Sequence, residues 1–399
     1  MEKEKNLNIF RRWFLDTNAA IQFSAIIAGL CAFSIGLNMS ILDSAAAIFM
    51  ECSEEDSNLK RCVQCTKNEW SFFVSILSLG APFAIYLSKY TSLSKKKFLL
   101  IANALYIIGF SIIAFTYNYL SVVLGRFIVG CGVGLCSVNV PLYISYLSKN
   151  KLIINYNQLF IIVGIFSGQV LSFGFTNVDN WKIRLYINLM FLLCHTFLLL
   201  LIKNVEFSVE STKKSIFSIF TSKEGRKAIF PALSIHIGRQ LSCVNNVIQY
   251  STMLIASSLS PAQIVLSISC VMMLCTILHF YLIATIKRRT LLLISLLITS
   301  FGLFMMSSGK FIEFTVAIYI LGYTIGLGPI PWNILGNIFP PEYKEVGSNI
   351  AVGVNWITCF AFSYIFPIIF TNMGKMCYTI FGSIIFVLAI YISIYGQAI

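Results

Sequence analysis

Gly328-Pro329-Ile330-Pro331-Trp332-Asn333-Ile334-Leu335-Gly336-Asn337-Ile338-Phe339-Pro340 breaks an apolar segment with prolines, glycines and a tryptophan. Hydrocarbon offers no hydrogen-bond partners. A backbone interrupted there is tolerated only where protein or a water-filled cavity satisfies it. Broken helices near mid-membrane are how transporters build substrate sites. The stretch therefore predicts a solute pathway in a helical membrane protein.

The rest of the chain agrees. Of 399 residues, 57% are hydrophobic and 11% charged. Apolar runs near twenty residues recur throughout, each able to cross about 30 Å of hydrocarbon. They number about twelve, near 18–42, 70–88, 97–116, 119–147, 155–174, 183–203, 229–255, 262–284, 288–308, 312–338, 346–370 and 375–395. The first run lacks a small-residue cleavage site and precedes further spans, so it is expected to remain as a helix. The fold class is all-α: twelve transmembrane helices.

The net charge of +13 could suggest nucleic acid, but its placement points to a membrane. With both termini cytoplasmic, twenty of the 29 lysines and arginines fall on the inner side and seven on the outer, with Arg126 and Arg239 inside helices. That is the positive-inside pattern. No basic stretch interleaved with stacking aromatics appears, so no nucleic-acid partner is expected.

Cys52, Cys62 and Cys65 lie in the long external loop, facing an oxidising space. One loop disulfide plus a spare thiol is expected, with the pairing open. No zinc set is completed by nearby ligands, and no metal or cofactor is expected. The acidic loop residues, Glu54, Glu55 and Asp56 among them, read as solvated surface.

The connector near 204–228 divides the chain into an N-terminal bundle (1–203) and a C-terminal bundle (229–399) of six helices each. Basic clusters follow the second helix of each half, Lys95-Lys96-Lys97 and Lys287-Arg288-Arg289. Matching clusters in matching places suggest parallel repeats.

Polar side chains at membrane depth are functional candidates by default. Gln158 and Gln169 stand eleven residues apart, close to three turns, so they share a face. Arg239, Gln240 and Asn245 follow in the seventh helix, Trp332 in the tenth and Asn355-Trp356 in the eleventh. Amides both donate and accept, matching hydroxyls. An indole face packs on the C–H face of a sugar ring. Any single amide could instead make only an interhelical bond. No carboxylate sits deep in a helix, which removes the usual proton carrier. His195, His236 and His279 remain, and a lone membrane histidine commonly serves packing; His236 lies one turn before Arg239.

Gly125-Arg126-Phe127 leading to Val140-Pro141-Leu142-Tyr143-Ile144 resembles the fourth-helix motif of the sugar porters of the major facilitator superfamily. Gln240-Leu241-Ser242-Cys243-Val244-Asn245 is similar to their QLSGIN motif, Gly328-Pro329-Ile330-Pro331-Trp332 to GPIPW, and Asn355-Trp356 to an SNW-like position. The order and spacing agree over nearly the whole chain. The resemblance implies two six-helix bundles, a central site and alternating access. It implies sugar contacts from Gln158, Gln169, Gln240, Asn245, Trp332 and Asn355, gating by Tyr250, and bending at Pro329 and Pro331.

There are departures from the family pattern. Asn38 falls where proton-coupled relatives carry aspartate and facilitative ones asparagine, which favours uniport. Arg239 replaces the first glutamine of a pair; it could select an anionic or phosphorylated substrate, or bond helix carbonyls. Thr324 replaces a glutamate, and Tyr146 occupies the fourth-helix glutamate position. The central loop is short and no PETKG-like tail follows the last span. These losses predict a weaker latch on the outward-facing state and a population shifted inward.

The function expected is facilitative transport of hexose, glucose-like, by a monomer in the lipid bilayer of the plasma membrane. No enzyme constellation appears. The rivals are a proton-coupled or anion-linked carrier using His236 or Arg239, and a non-transporting sugar sensor.

Overall fold

Helix starts are set by side chains that take up orphan backbone N–H groups. Asn18, Ser94, Asn118 and Ser222 each cap a helix by accepting from a backbone nitrogen two or three residues on. Thr66 and Glu69 form a reciprocal capping box. The structure is a computed structural model and describes residues 18–42, 45–50, 52, 62–91, 93–175, 177, 179–204, 217–249 and 261–396.

Among the described residues, twelve long helices form two bundles of six, consistent with a twelve-span membrane fold. The first half contains α1 (Ala19–Ser40), α2 (Lys67–Ser88), α3 (Lys95–Phe115), α4 (Tyr119–Leu147), α5 (Tyr156–Gly174) and α6 (Ile183–Leu201). The second contains α7 (Lys223–Leu241), α8 (Pro261–Thr285), α9 (Arg288–Ser308), α10 (Ile312–Gly322, with its broken continuation), α11 (Lys344–Met373) and α12 (Cys377–Tyr395).

The packing repeats between the halves. Helix α1 packs on α5 as α7 packs on α11, and α3 packs on α4 and α6 as α9 packs on α10 and α12. The halves meet where α2 lies on α11 and where α5 lies on α8. Close approach needs small residues. A Cβ on Gly36 would strike the Ile161 carbonyl, and one on Gly164 the Phe33 carbonyl, so α1 and α5 touch backbone to backbone.

Three details differ from the sequence expectation. The seventh helix starts earlier, at Lys223, inside the stretch assigned to the connector. It also breaks near its end, where Cys243 takes a left-handed φ of 66° before a short helix Val244–Gln249. That position is the glycine of the QLSGIN pattern, and a left-handed backbone is the reason glycine suits it. Arg184, one of the seven basic residues counted on the outer side, is fully buried in the first turn of α6, and its Nη1 donates to Ser172 Oγ at 3.2 Å. Its long stem lets a residue at a helix end reach inward.

The loop disulfide joins Cys52 to Cys62, leaving Cys65 as a buried free thiol whose pKa burial raises to about 11. Among the described residues no group of metal-ligating side chains gathers.

Candidate substrate site between the halves

The tenth helix is broken where the prolines stand. An α-helical segment ends at Gly322, a π-helical turn covers Tyr323–Leu327, and a short helix resumes at Ile330–Ile334. The π turn closes through Gly328 N donating to Tyr323 O at 2.8 Å. Pro329 has no N–H for the carbonyl four residues back, that of Ile325. His279 of α8 supplies the missing donor, with Nδ1 2.8 Å from Ile325 O. Ser295 of α9 clasps the same turn: its hydroxyl donates to Gly322 O and accepts from Leu327 N at 2.7 Å. The break is thus satisfied by side chains of neighbouring helices, as a membrane interior demands.

Trp332, in the resumed helix, borders the space between the halves. A small cavity of about 20 Å³ lies there, room for about one water. Trp332, Arg239 and Asn245 line it from the second half with Trp356; Ser137 and Asn157 line it from the first. Asn245 Nδ2 donates to Gln240 Oε1 at 3.0 Å and to Cys359 Sγ at 3.2 Å. Gln240 Nε2 donates to Asn355 Oδ1 at 2.9 Å. The structure therefore joins Gln240, Asn245 and Asn355 in one amide chain beside Trp332 and Arg239.

Some hydrogen-bonding capacity is left over. Trp332 Nε1, Asn355 Nδ2, Asn157 Oδ1 and Gln158 Oε1 are buried without a partner. Unpaired buried polar atoms are costly, and a ligand that meets them recovers that cost. Gln158 and Gln169 are buried but do not line the cavity; their neighbour Asn157 does. Tyr250 lies outside the described residues. Ser137 was not foreseen: it accepts from Trp356 Nε1 at 3.2 Å and fixes that ring.

Three histidines are buried. His195 bonds Asn103 and the Ile27 carbonyl, a packing role. His236 is fully buried and stands edge-on to Trp332, ring centroids 5.4 Å apart.

At the end carrying Lys95, Lys149 and Lys344 the halves are tied together. Lys95 Nζ meets Glu345 Oε1 at 2.6 Å, and Lys344 Nζ lies 4.1 Å from the centre of the Tyr146 ring. Asn155 of the first half bonds both His279, at 2.8 Å, and Asn333 of the second. A larger hollow of about 520 Å³ opens at this end, between Tyr146, Lys149, Asn337 and Lys344. Its lining shares no residue with that of the central cavity.

The sequence profile of the family described as "Sugar (and other) transporter" matches residues 22–205 and again 201–395. The chain belongs to this sugar transporter family. Among its relatives, Sugar transporter ERD6-like 16 of Arabidopsis thaliana is 27% identical over 369 residues, covering 78% of this chain and 76% of that protein. Solute carrier family 2, facilitated glucose transporter member 2 of Gallus gallus is 24% identical over 379 residues, covering 80% of this chain and 71% of the relative. The fold is that of the proton:xylose symporter XylE bound to 6-bromo-6-deoxy-D-glucose, with a TM-score of 0.77 at 18% identity, covering 94% of this chain and 95% of the other. It is also that of the E. coli fucose:proton symporter FucP, with a TM-score of 0.65, 15% identity and coverage of 92% and 98%. Like them, this sugar transporter has the major facilitator fold. It is a multi-pass membrane transporter of a small-molecule sugar, not an enzyme.

Proposed function

We propose that this sugar transporter is a uniporter of hexose, glucose-like in substrate, working by alternating access. The supporting observation is the surroundings of Arg126. Its Nη1 donates to the backbone carbonyl of Asn38 at 2.8 Å, and its guanidinium lies 5.1 Å from the Phe73 ring centre. Asn38 itself is a neutral amide at a position where proton-coupled sugar porters carry aspartate. No aspartate or glutamate stands between Glu69 and Asp179, between Glu224 and Glu313, between Glu313 and Glu342, or after Glu345. A proton therefore finds no carboxylate to ride on through either set of spans.

Sugar would bind between Trp332 and the amides of Gln240, Asn245 and Asn355, with Gln158 and Gln169 reached as the halves move. Pro329 and Pro331 let the tenth helix bend, and Tyr250 closes the outer side. The two bundles, 1–203 and the one that opens with α7 at Lys223, rock about the site as a monomer in the plasma membrane. The lysine-rich end faces the cytoplasm, in keeping with the positive-inside pattern.

The test is uptake of labelled glucose into proteoliposomes with and without a pH gradient. Downhill uptake that ignores the gradient is expected. Uptake abolished when the gradient collapses would instead support proton coupling. The placement of His236, a titratable ring buried against Trp332, is the observation that favours this second reading.

A further inference from the structure

We infer that the central site also takes hexuronates, hexoses whose C6 is a carboxylate, and holds them through Arg239. The inference rests on the sugar-transport reading above and extends its substrate class.

Arg239 lines the cavity, and its guanidinium carbon lies 5.2 Å from the Trp332 ring centre and 5.8 Å from that of Tyr323. Among the described residues no carboxylate pairs with it, and its Nε is buried without a partner. The nearest acid before it in sequence, Glu224, and the nearest after it, Glu313, lie at the start of α7 and of α10, outside the cavity lining. A cation at membrane depth is costly and normally marks a functional site. Two aromatic faces return only part of what desolvating the cation costs. The site therefore carries one uncompensated positive charge.

The anion that fits is a carboxylate attached to a sugar. One guanidinium matches one carboxylate, in charge and in the two-pronged geometry of its donors. A phosphate monoester carries nearly two charges at neutral pH, and no second arginine or lysine lines the cavity. A pyranose stacked on Trp332 places a C6 carboxylate one bond beyond the ring edge, on the scale of the distance from Trp332 to the guanidinium. The ring hydroxyls then face Asn157 and Asn245, which flank the same cavity.

The experiment uses the full chain in proteoliposomes. Glucuronate and galacturonate are tested as competitors of labelled glucose uptake, and labelled glucuronate uptake is measured directly. Glucuronate is expected to enter and to compete at a concentration at least tenfold below that of unlabelled glucose. Arg239→Gln should cut the ratio of glucuronate to glucose affinity by tenfold or more. Arg239→Lys, which keeps the charge but loses the fork, should fall between. Glucose entry with glucuronate neither entering nor competing overturns this inference and leaves the sugar-transport reading standing. Entry of neither sugar removes both. The wild-type competition decides the matter even if a variant fails to fold. A ratio unmoved in a folded Arg239→Gln overturns the role given to Arg239.

Discussion

His279 donates to the carbonyl of Ile325 that Pro329 leaves without a backbone donor, at 2.8 Å. One histidine thus stands in for a missing peptide N–H. Its other nitrogen lies 2.8 Å from the Asn155 amide of the opposite half, so the same ring ties the broken helix to the seam. His279→Leu should leave the Ile325 carbonyl without its side-chain donor and remove one of the contacts of the Asn155 amide. A loss of about 1–3 kcal/mol is expected for the buried carbonyl. It would be read as a lower melting temperature of the purified protein and slower sugar uptake. Equal melting temperatures for variant and wild type would refute this role.

Trp332 and Gln240 should contribute to sugar affinity in different ways. Trp332→Ala removes the stacking face, and Gln240→Ala opens the amide chain running from Asn245 to Asn355. Each should weaken binding by about 1–3 kcal/mol, roughly five- to 150-fold. Titration by intrinsic fluorescence or competition checks this. Affinity intact in both variants would place the site elsewhere.

The pair Lys95–Glu345 joins the two halves at 2.6 Å, with Lys95 buried and the Glu345 side chain 42% exposed. Solvent screens the exposed partner, so either alanine variant should cost about 1 kcal/mol or less of the closed state at that end. Cysteine accessibility at the lysine-rich end should rise a few-fold in Lys95→Ala and in Glu345→Ala. The exchanged pair, Lys95→Glu with Glu345→Lys, should return it toward wild type. This contact, with Lys344 on Tyr146, stands where the sequence led us to expect a thinned latch. If the single variants leave accessibility unmoved, the pair has no part in closure.

Lys182, the residue before α6, gives a pH test. Its Nζ donates to the carbonyls of Ala114 and Thr116 at 2.8 and 3.0 Å, and burial lowers its pKa from 10.5 to about 8. Between about pH 8 and 10.5 the unfolded chain holds this proton and the folded one has released it, so stability rises with pH across that window. The neutral amine still has two N–H groups, one for each carbonyl. Lys182→Met should flatten the rise in melting temperature over that window. A slope unaltered by the substitution would show that the proton stays on.

Much of the architecture can be read from the residues themselves. Apolar runs reveal the spans, and Gly328 through Pro340 marks where the tenth helix fails, because proline lacks a donor whatever surrounds it. Gln240, Asn245 and Asn355 can be grouped because the family motifs place them together. What sequence hides is the rotation of each helix. Asn157 and Gln158 are neighbours, separated by about 100° around the axis, and only packing decides which faces the cavity. The bond from His279 to Asn155 spans 124 positions, and no spacing rule along the chain reports such a partner. Arg184 misled because a charged residue at a helix end reads as solvent-facing until its stem is seen folded inward.

The hydroxyl of Ser295 gives to Gly322 and takes from Leu327, pinning both sides of the π turn to the ninth helix. Any swing of the segment bearing Trp332 must therefore pivot below that pin and cannot slide along the whole tenth helix. The upper part stays with its bundle as fixed masonry, while the short piece after Gly328 works as the moving tongue. Ser295, with His279 on Ile325, thus marks the boundary between the anchored turn and the piece free to swing.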